Sequence, residues 1–146
     1  MRWASLLALA LGGSSCRHFS FDSHPLEVER PESVTPGGVH WHDLFLGEGP
    51  AATPGDVVVF DYTLWLIDGT RVDSTLDRGV PLEAVLGGLP LAGLNEGLVG
   101  MRPGGRRKLR IPPELAYGSE GVPELVPPDA ELDCEVHLVE ARPAAR

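Results

Sequence analysis

The stretch Ile111-Pro-Pro-Glu-Leu-Ala-Tyr-Gly-Ser-Glu-Gly-Val-Pro-Glu-Leu-Val-Pro-Pro128 decides how the rest of the chain is read. Its prolines and glycines forbid a long helix or a central strand. It is not a polar linker either, because it carries Leu115, Tyr117, Val122, Leu125 and Val126. A rigid apolar loop with one phenol has the make-up of a binding-pocket wall. The competing reading is a loop that only folds back onto the core.

Working outward, residues 106–111 alternate and are basic. Five of the 12 basic residues lie between Arg102 and Arg110. In a chain of net charge −9 this reads as a solvated outer strand face, not as a nucleic-acid surface. Downstream, residues 131–139 form a strand with Leu132, Cys134, Val136 and Leu138 on one face, which makes Cys134 a small core or pocket-lining residue. Upstream, residues 81–101 are the one credible helical region. Pro90 suits a first turn, and Leu91, Leu94 and Leu98 share a face. Gly93 and Gly97 each cost a helix interior about 0.5–1 kcal/mol against alanine. They make sense where a sheet packs close against that side.

The strongest strand is Val57-Val-Val-Phe-Asp-Tyr-Thr-Leu-Trp-Leu66, rich in β-branched and aromatic residues. Asp68-Gly69 signals a hairpin into a return strand over residues 70–74. Earlier, Val39, Trp41 and Leu44 alternate with His40 and His42, a half-exposed strand with Trp41 turned inward. Two histidines at i and i+2 share a face, but no cysteine or further histidine lies near them in sequence, so no metal site and no cofactor is expected.

The 146 residues suggest one domain with its own core. Residues 1–15 read as an export signal: Arg2, an apolar run over residues 3–11, then small residues up to Cys16. Small residues before a cysteine resemble a bacterial lipoprotein signal, which would lipidate Cys16 and anchor the chain to a membrane; ordinary cleavage without lipid is the competitor. Residues 16–37 read as a tether with Pro25, Pro31 and Pro36, residues 38–141 as the folded domain, and residues 142–146 as a tail. Cys16 and Cys134 have such different contexts that no disulfide is expected.

Several fragments, in order and spacing, resemble one family. They are Tyr62 within Asp-Tyr-Thr, Asp68-Gly69, Val72-Asp73-Ser74, Gly97-Leu-Val-Gly-Met101, Gly105-Arg-Arg-Lys-Leu109, Ile111-Pro-Pro-Glu-Leu-Ala-Tyr-Gly118 and Pro127-Pro128. The resemblance is to FKBP-type peptidyl-prolyl cis–trans isomerases and covers residues 38–141. It implies an α+β fold in which a curved antiparallel sheet of about five strands wraps one short helix; a monomer is expected, and the export signal and Cys16 anchor place it in the bacterial cell envelope. Proline-containing polypeptides are the implied substrates. The alternative is a weak or inactive binding module on the same fold.

By matching position, the resemblance implies that Tyr62 packs against the proline ring and that Asp73 orders the pocket. Leu91 gives its backbone N–H to a ligand carbonyl, and Tyr117 gives its O–H to another. Val122, Leu125 and Val126 form a mobile upper wall, and Leu94 the floor. The chain departs from the pattern where aromatic rings are usual: Leu94 stands for a tryptophan, and Val72, Leu82 and Cys134 stand for phenylalanines. The segment before Leu91 is one residue short. Aromatic rings supply most of such a pocket's area, so a wider cavity, weaker proline binding and only weak macrolide binding are expected.

Overall fold

The structure is a computed structural model and describes residues 32–145. The residues read as an export signal, most of those read as a tether, and Cys16 lie outside the described residues. Seven strands form one sheet: β1 (Ser33–Val34), β2 (His40–Phe45), β3 (Val57–Leu66), β4 (Arg71–Ser74), β5 (Leu82–Val85), β6 (Arg106–Ile111) and β7 (Leu132–Arg142). Their order is β1-β2-β6-β7-β3-β4, and β5 also pairs with β3. Every pairing is antiparallel. The α+β class and the antiparallel sheet stand as expected. The strand number does not, because β1 and β5 were not anticipated.

β3 is the spine. Its full length pairs with β7. Its other edge is shared, with β5 along the first half and β4 along the second. Ten residues rich in β-branched and aromatic side chains suit a central strand with partners on both edges, and Val58, Phe60 and Leu64 among them are buried. The Asp68-Gly69 turn closes as its residues demand. Gly69 takes a φ of 92°, and the Asp68 carboxylate accepts the Thr70 N–H at 2.8 Å.

Residues 81–101 are not one helical region. They contain β5, a turn, and the short helix α2 (Ala92–Gly97). The four-residue alternation of Leu82–Val85 is too short to outweigh its helical neighbours in sequence, and only pairing with β3 makes it a strand. A second short helix, α1 (Thr75–Arg78), also escaped the sequence reading. Ser33 and Val34, assigned to the tether, pair with Trp41 and His40 of β2.

α2 lies on the inner face of the sheet, and its glycines explain how. A Cβ on Gly93 would overlap the Ile111 side chain, and one on Gly97 would overlap Leu109. The close approach buries Leu94 and Leu98, 3% and 0% exposed, in the same core cluster as Phe60, Leu64, Cys134, Val136 and Leu138. Each fully buried large side chain contributes about 1.5–3 kcal/mol of transfer free energy.

Arg107 departs from the solvated outer face expected of the basic run. Arg106, Lys108 and Arg110 do face out, but Arg107 turns inward and is 3% exposed. Its Nε and Nη2 donate to the Asp43 carboxylate at 2.7 and 3.3 Å, and its Nη1 donates to the carbonyls of Gly97 and Val99 at 2.9 and 3.0 Å. The guanidinium lies 3.8 Å from the Trp41 ring centroid. A buried charge needs such a set of partners. Arg107 thus closes the C-terminal end of α2, which has no basic residue of its own in its last turn.

Candidate functional site

The site begins where β3, β4 and α1 meet. Ser74 caps α1 by accepting the Leu76 N–H at 3.2 Å, and Gly79 ends the helix in the left-handed region. The Thr75 hydroxyl accepts the Tyr62 N–H at 3.0 Å and donates to Asp61 at 2.8 Å. These bonds staple α1 to β3 beside Tyr62 and bring Arg78 over the site.

Three side chains then interlock. The Tyr62 hydroxyl donates to Asp73 at 2.6 Å. Arg78 donates to Asp73 at 3.0 Å and to the Tyr62 oxygen at 3.1 Å. The Ser74 N–H adds a further bond to the carboxylate at 2.9 Å. Burial alone would raise the Asp73 pKa, but the Tyr62 bond, the Arg78 charge and the Ser74 N–H outweigh it and hold the carboxyl below its ordinary value. The Tyr62 phenol is pushed up, first by burial and then by its bond to Asp73, with Arg78 pulling the other way. At neutral pH the arrangement is a neutral phenol between a carboxylate and a guanidinium. Its single proton is committed to Asp73, so Tyr62 offers a ligand its ring and not its O–H.

Tyr117 is the opposite case. It is half-buried and packs against the core, and no hydrogen bond to its hydroxyl occurs among the described residues. No buried side-chain polar atom there lacks a partner, so this hydroxyl opens to its surroundings. Burial raises its pKa, with smaller contributions from nearby Asp73 and Cys134. A 3₁₀ turn, Pro113–Leu115, leads into it, and the Gly118 N–H returns to the Pro113 carbonyl at 2.8 Å. The wall beyond is a closed turn: Val122 and Val126 exchange two backbone hydrogen bonds of 2.8 Å.

The expected pocket residues separate into three groups. Val72, Leu82, Tyr117 and Val122 join Tyr62 as partly buried groups on the core. Leu91, Leu94, Val126 and Cys134 are enclosed. Cys134 sits in register between Leu64 and Leu109, and burial drives its thiol pKa up, so it belongs to the core layer beneath the surface. Leu125, expected in the wall, is 42% exposed and stands out at the rim. The reason is local: Glu124 takes a φ of 64°, which swings the tip of the turn outward.

Three contributors were missed in sequence. Phe60 is fully buried, with its ring centroid 5.9 Å from that of Tyr62 and Leu82 as its cross-strand partner. It sets an aromatic ring behind Tyr62, and its i, i+2 spacing on β3 was the available signal. Arg78 was readable from the Ser74…Gly79 cap signature of α1. Asn95, on α2, bonds the backbone of the preceding turn. The two histidines line a concavity of about 680 Å³ with Trp65, Lys108, Arg110 and Glu135, and Cys134 is the one expected pocket residue that also borders it. No group of three or more metal-ligating side chains occurs among the described residues.

The profile of the FKBP-type peptidyl-prolyl cis-trans isomerase family matches residues 49–139. The chain is 45% identical over 104 residues to the FK506-binding protein of Neisseria meningitidis serogroup B, covering 70% of this chain and 95% of that relative.

The chain belongs to the FKBP-type peptidyl-prolyl cis–trans isomerase family.

Within this FKBP family it is also 39% identical over 118 residues to the FKBP-type peptidyl-prolyl cis-trans isomerase FkpA of Escherichia coli K12, which spans 81% of this chain and 43% of that protein. The crystal structure of FkpA from Escherichia coli superposes with a TM-score of 0.72 at 36% identity, over 94% of this chain and 60% of that one. The FKBP relationship and the local geometry agree on the same region, since the matched span contains Tyr62, Asp73, Arg78, Leu91 and Tyr117.

Proposed function

We propose that this chain catalyses cis–trans isomerisation of Xaa–Pro bonds in exported polypeptides, with the proline ring held between Tyr62, Val72, Leu82, Val122 and Val126 above Leu94. The observation that carries the reading is the contrast between the two tyrosines. One is locked by Asp73 and Arg78 into a ring platform, and the other keeps its O–H free beside it.

The reaction needs no bond broken. Rotation about the peptide C–N faces a barrier of about 18–20 kcal/mol because resonance is lost in the twisted state. The twisted carbonyl is less dipolar, so an apolar surface favours it over the planar ground state relative to water. Tyr117 donates to one peptide carbonyl and the Leu91 N–H to another, holding the flanks while the bond turns. Asp73 acts through Tyr62 and takes no proton.

Exchange spectroscopy on an Ala-Leu-Pro-Phe peptide tests this. Cis–trans exchange should accelerate with added protein, and more for bulky apolar residues before proline. No gain at high protein concentration would support the second reading, a binding module, which the aliphatic floor of Leu94 favours. The same floor supports weak macrolide binding, and nanomolar affinity by calorimetry would contradict it.

The small residues before Cys16 support lipidation there and a place in the bacterial envelope, with the chain acting as a monomer. Mass spectrometry of the native protein should find a lipid-modified N-terminus at Cys16. A mature terminus elsewhere would remove the anchor from the reading.

A further inference from the structure

One side chain holds the turn between β5 and α2. Asn95 Oδ1 accepts the backbone N–H groups of Gly87 and Leu89, each at 2.9 Å, and its Nδ2 donates to the Leu89 carbonyl, also at 2.9 Å. Leu89 therefore has both of its backbone polar groups bonded to one carboxamide. Only an amide presents an acceptor and a donor side by side in this way. A carboxylate would keep the two accepted bonds and set an oxygen against the Leu89 carbonyl. Leu86 and Leu89, 2% and 6% exposed, anchor the same turn in the core.

Pro90 comes next. Its ring fixes its own φ near −65° and keeps Leu89 extended. Leu91 follows with φ −90° and ψ 106°, and its carbonyl accepts the Leu94 N–H at 3.0 Å. Few free torsions remain between the Asn95 anchor and the Leu91 amide on one side, or between that amide and α2 on the other. The Leu91 N–H itself has no acceptor among the described residues.

We propose that Asn95 is the positioning residue for the substrate-binding N–H of Leu91, acting through Leu89 and the stiff Pro90. The inference rests on the role given to Leu91 above. It accounts for how this turn presents a fixed donor: the carboxamide sets the path of Gly87 and Leu89, and the stiff Pro90 passes it on to Leu91.

The test uses the full-length chain, ¹⁵N-labelled and titrated with the Ala-Leu-Pro-Phe peptide. In the parent, the Leu91 amide resonance should move on binding. In Asn95→Asp, which keeps the two accepted bonds, peptide affinity should fall about three- to tenfold, the size of one hydrogen bond, and the Leu91 response should shrink. In Asn95→Ala both effects should be larger, while amides in β3 and β7 keep their shifts. If the Leu91 response is equal in parent and variants, Asn95 is only scaffold and the proposal is wrong. If β3 and β7 lose their dispersion in both variants, the residue holds the domain and not the loop, which also overturns it. If Leu91 is silent in the parent while Tyr62 and Tyr117 respond, the underlying role of Leu91 fails, and that outcome is distinct from the other two.

Discussion

Replacing Asp73 with leucine should lower turnover about tenfold while the domain stays folded. The carboxylate accepts from the Tyr62 hydroxyl at 2.6 Å, the Ser74 N–H at 2.9 Å and Arg78 at 3.0 Å. A hydrogen bond to a charged group contributes about 1.5–3 kcal/mol, and its 2.6 Å length marks the Tyr62 bond as a strong, charge-assisted one. The carboxylate side chain is 33% exposed, so water replaces part of what is lost and the low end of that range applies. The half-exposed Arg78 pair adds at most about 1 kcal/mol, and the Ser74 N–H can turn to water. The stability loss is then about 2 kcal/mol. The rate falls for a separate reason: a ring no longer held in place loses stabilisation of the twisted bond, and about 1.4 kcal/mol lost in that transition state is tenfold in rate. A double-mutant cycle isolates that hold. Tyr62→Phe removes the same bond from the other side, so in the Asp73→Leu background it should add almost nothing, leaving a coupling of about 1–1.5 kcal/mol. Exchange spectroscopy gives the rates and urea unfolding the stabilities. Effects that add to within about 0.3–0.5 kcal/mol would mean that the two groups act independently, and the account of the locked platform would be refuted.

Tyr117→Phe should weaken peptide binding several-fold, the size of one hydrogen bond at about 0.5–1.5 kcal/mol, with an unchanged urea midpoint; an unchanged affinity would show that its O–H meets no substrate. Leu94→Trp should raise macrolide affinity measured by calorimetry. It should also cost about 1–3 kcal/mol of stability, because Leu94 is 3% exposed in a closed layer; stability lost with no affinity gained would remove it from the floor. Arg107→Ala should destabilise by about 3–5 kcal/mol in urea, since Asp43 and the Gly97 and Val99 carbonyls lose their shared partner; a loss under about 1 kcal/mol would contradict the burial argument. Asp73 is held below its ordinary 3.8, so its contribution is complete above that pH and is lost as pH falls through the depressed value. The urea midpoint of Asp73→Asn should therefore fall less than the parent's as pH drops from neutral through that depressed value, as a pH series of urea midpoints would record.

How much of this was legible depended on whether local pattern and tertiary pairing agreed. β3 was readable to the residue because its composition, alternation and Asp68-Gly69 turn all point the same way. α2 was placed from Leu91, Leu94 and Leu98, and the closeness of the sheet from Gly93 and Gly97. β5 was not legible, since four residues become a strand only against Val57–Phe60. Arg107 defeated the charge reading because an alternating basic run gives no sign of which arginine meets a carboxylate 64 residues earlier. In the site, Tyr117 stood out as the one phenol of an apolar loop and Asp73 as a carboxylate in an apolar setting, while Tyr62 was singled out by the family resemblance. Asn95 did not stand out, because its partners are set by the path of a turn, and Arg78 was signalled only indirectly, through the Ser74 and Gly79 caps of α1.

The helix under the pocket is not an independent object. Six residues with two glycines and no side-chain cap fall far short of the length at which an isolated helix holds together. The arginine that closes its end comes from β6 and is itself held by β2. The strands across which that arginine and the Tyr62 platform are aligned are joined by β7, the last strand of the domain. A chain emerging from synthesis therefore has no pocket until β7 has docked. It must complete its own folding before it can speed the folding of another chain, and its catalytic rate is a direct reporter of how many molecules have done so.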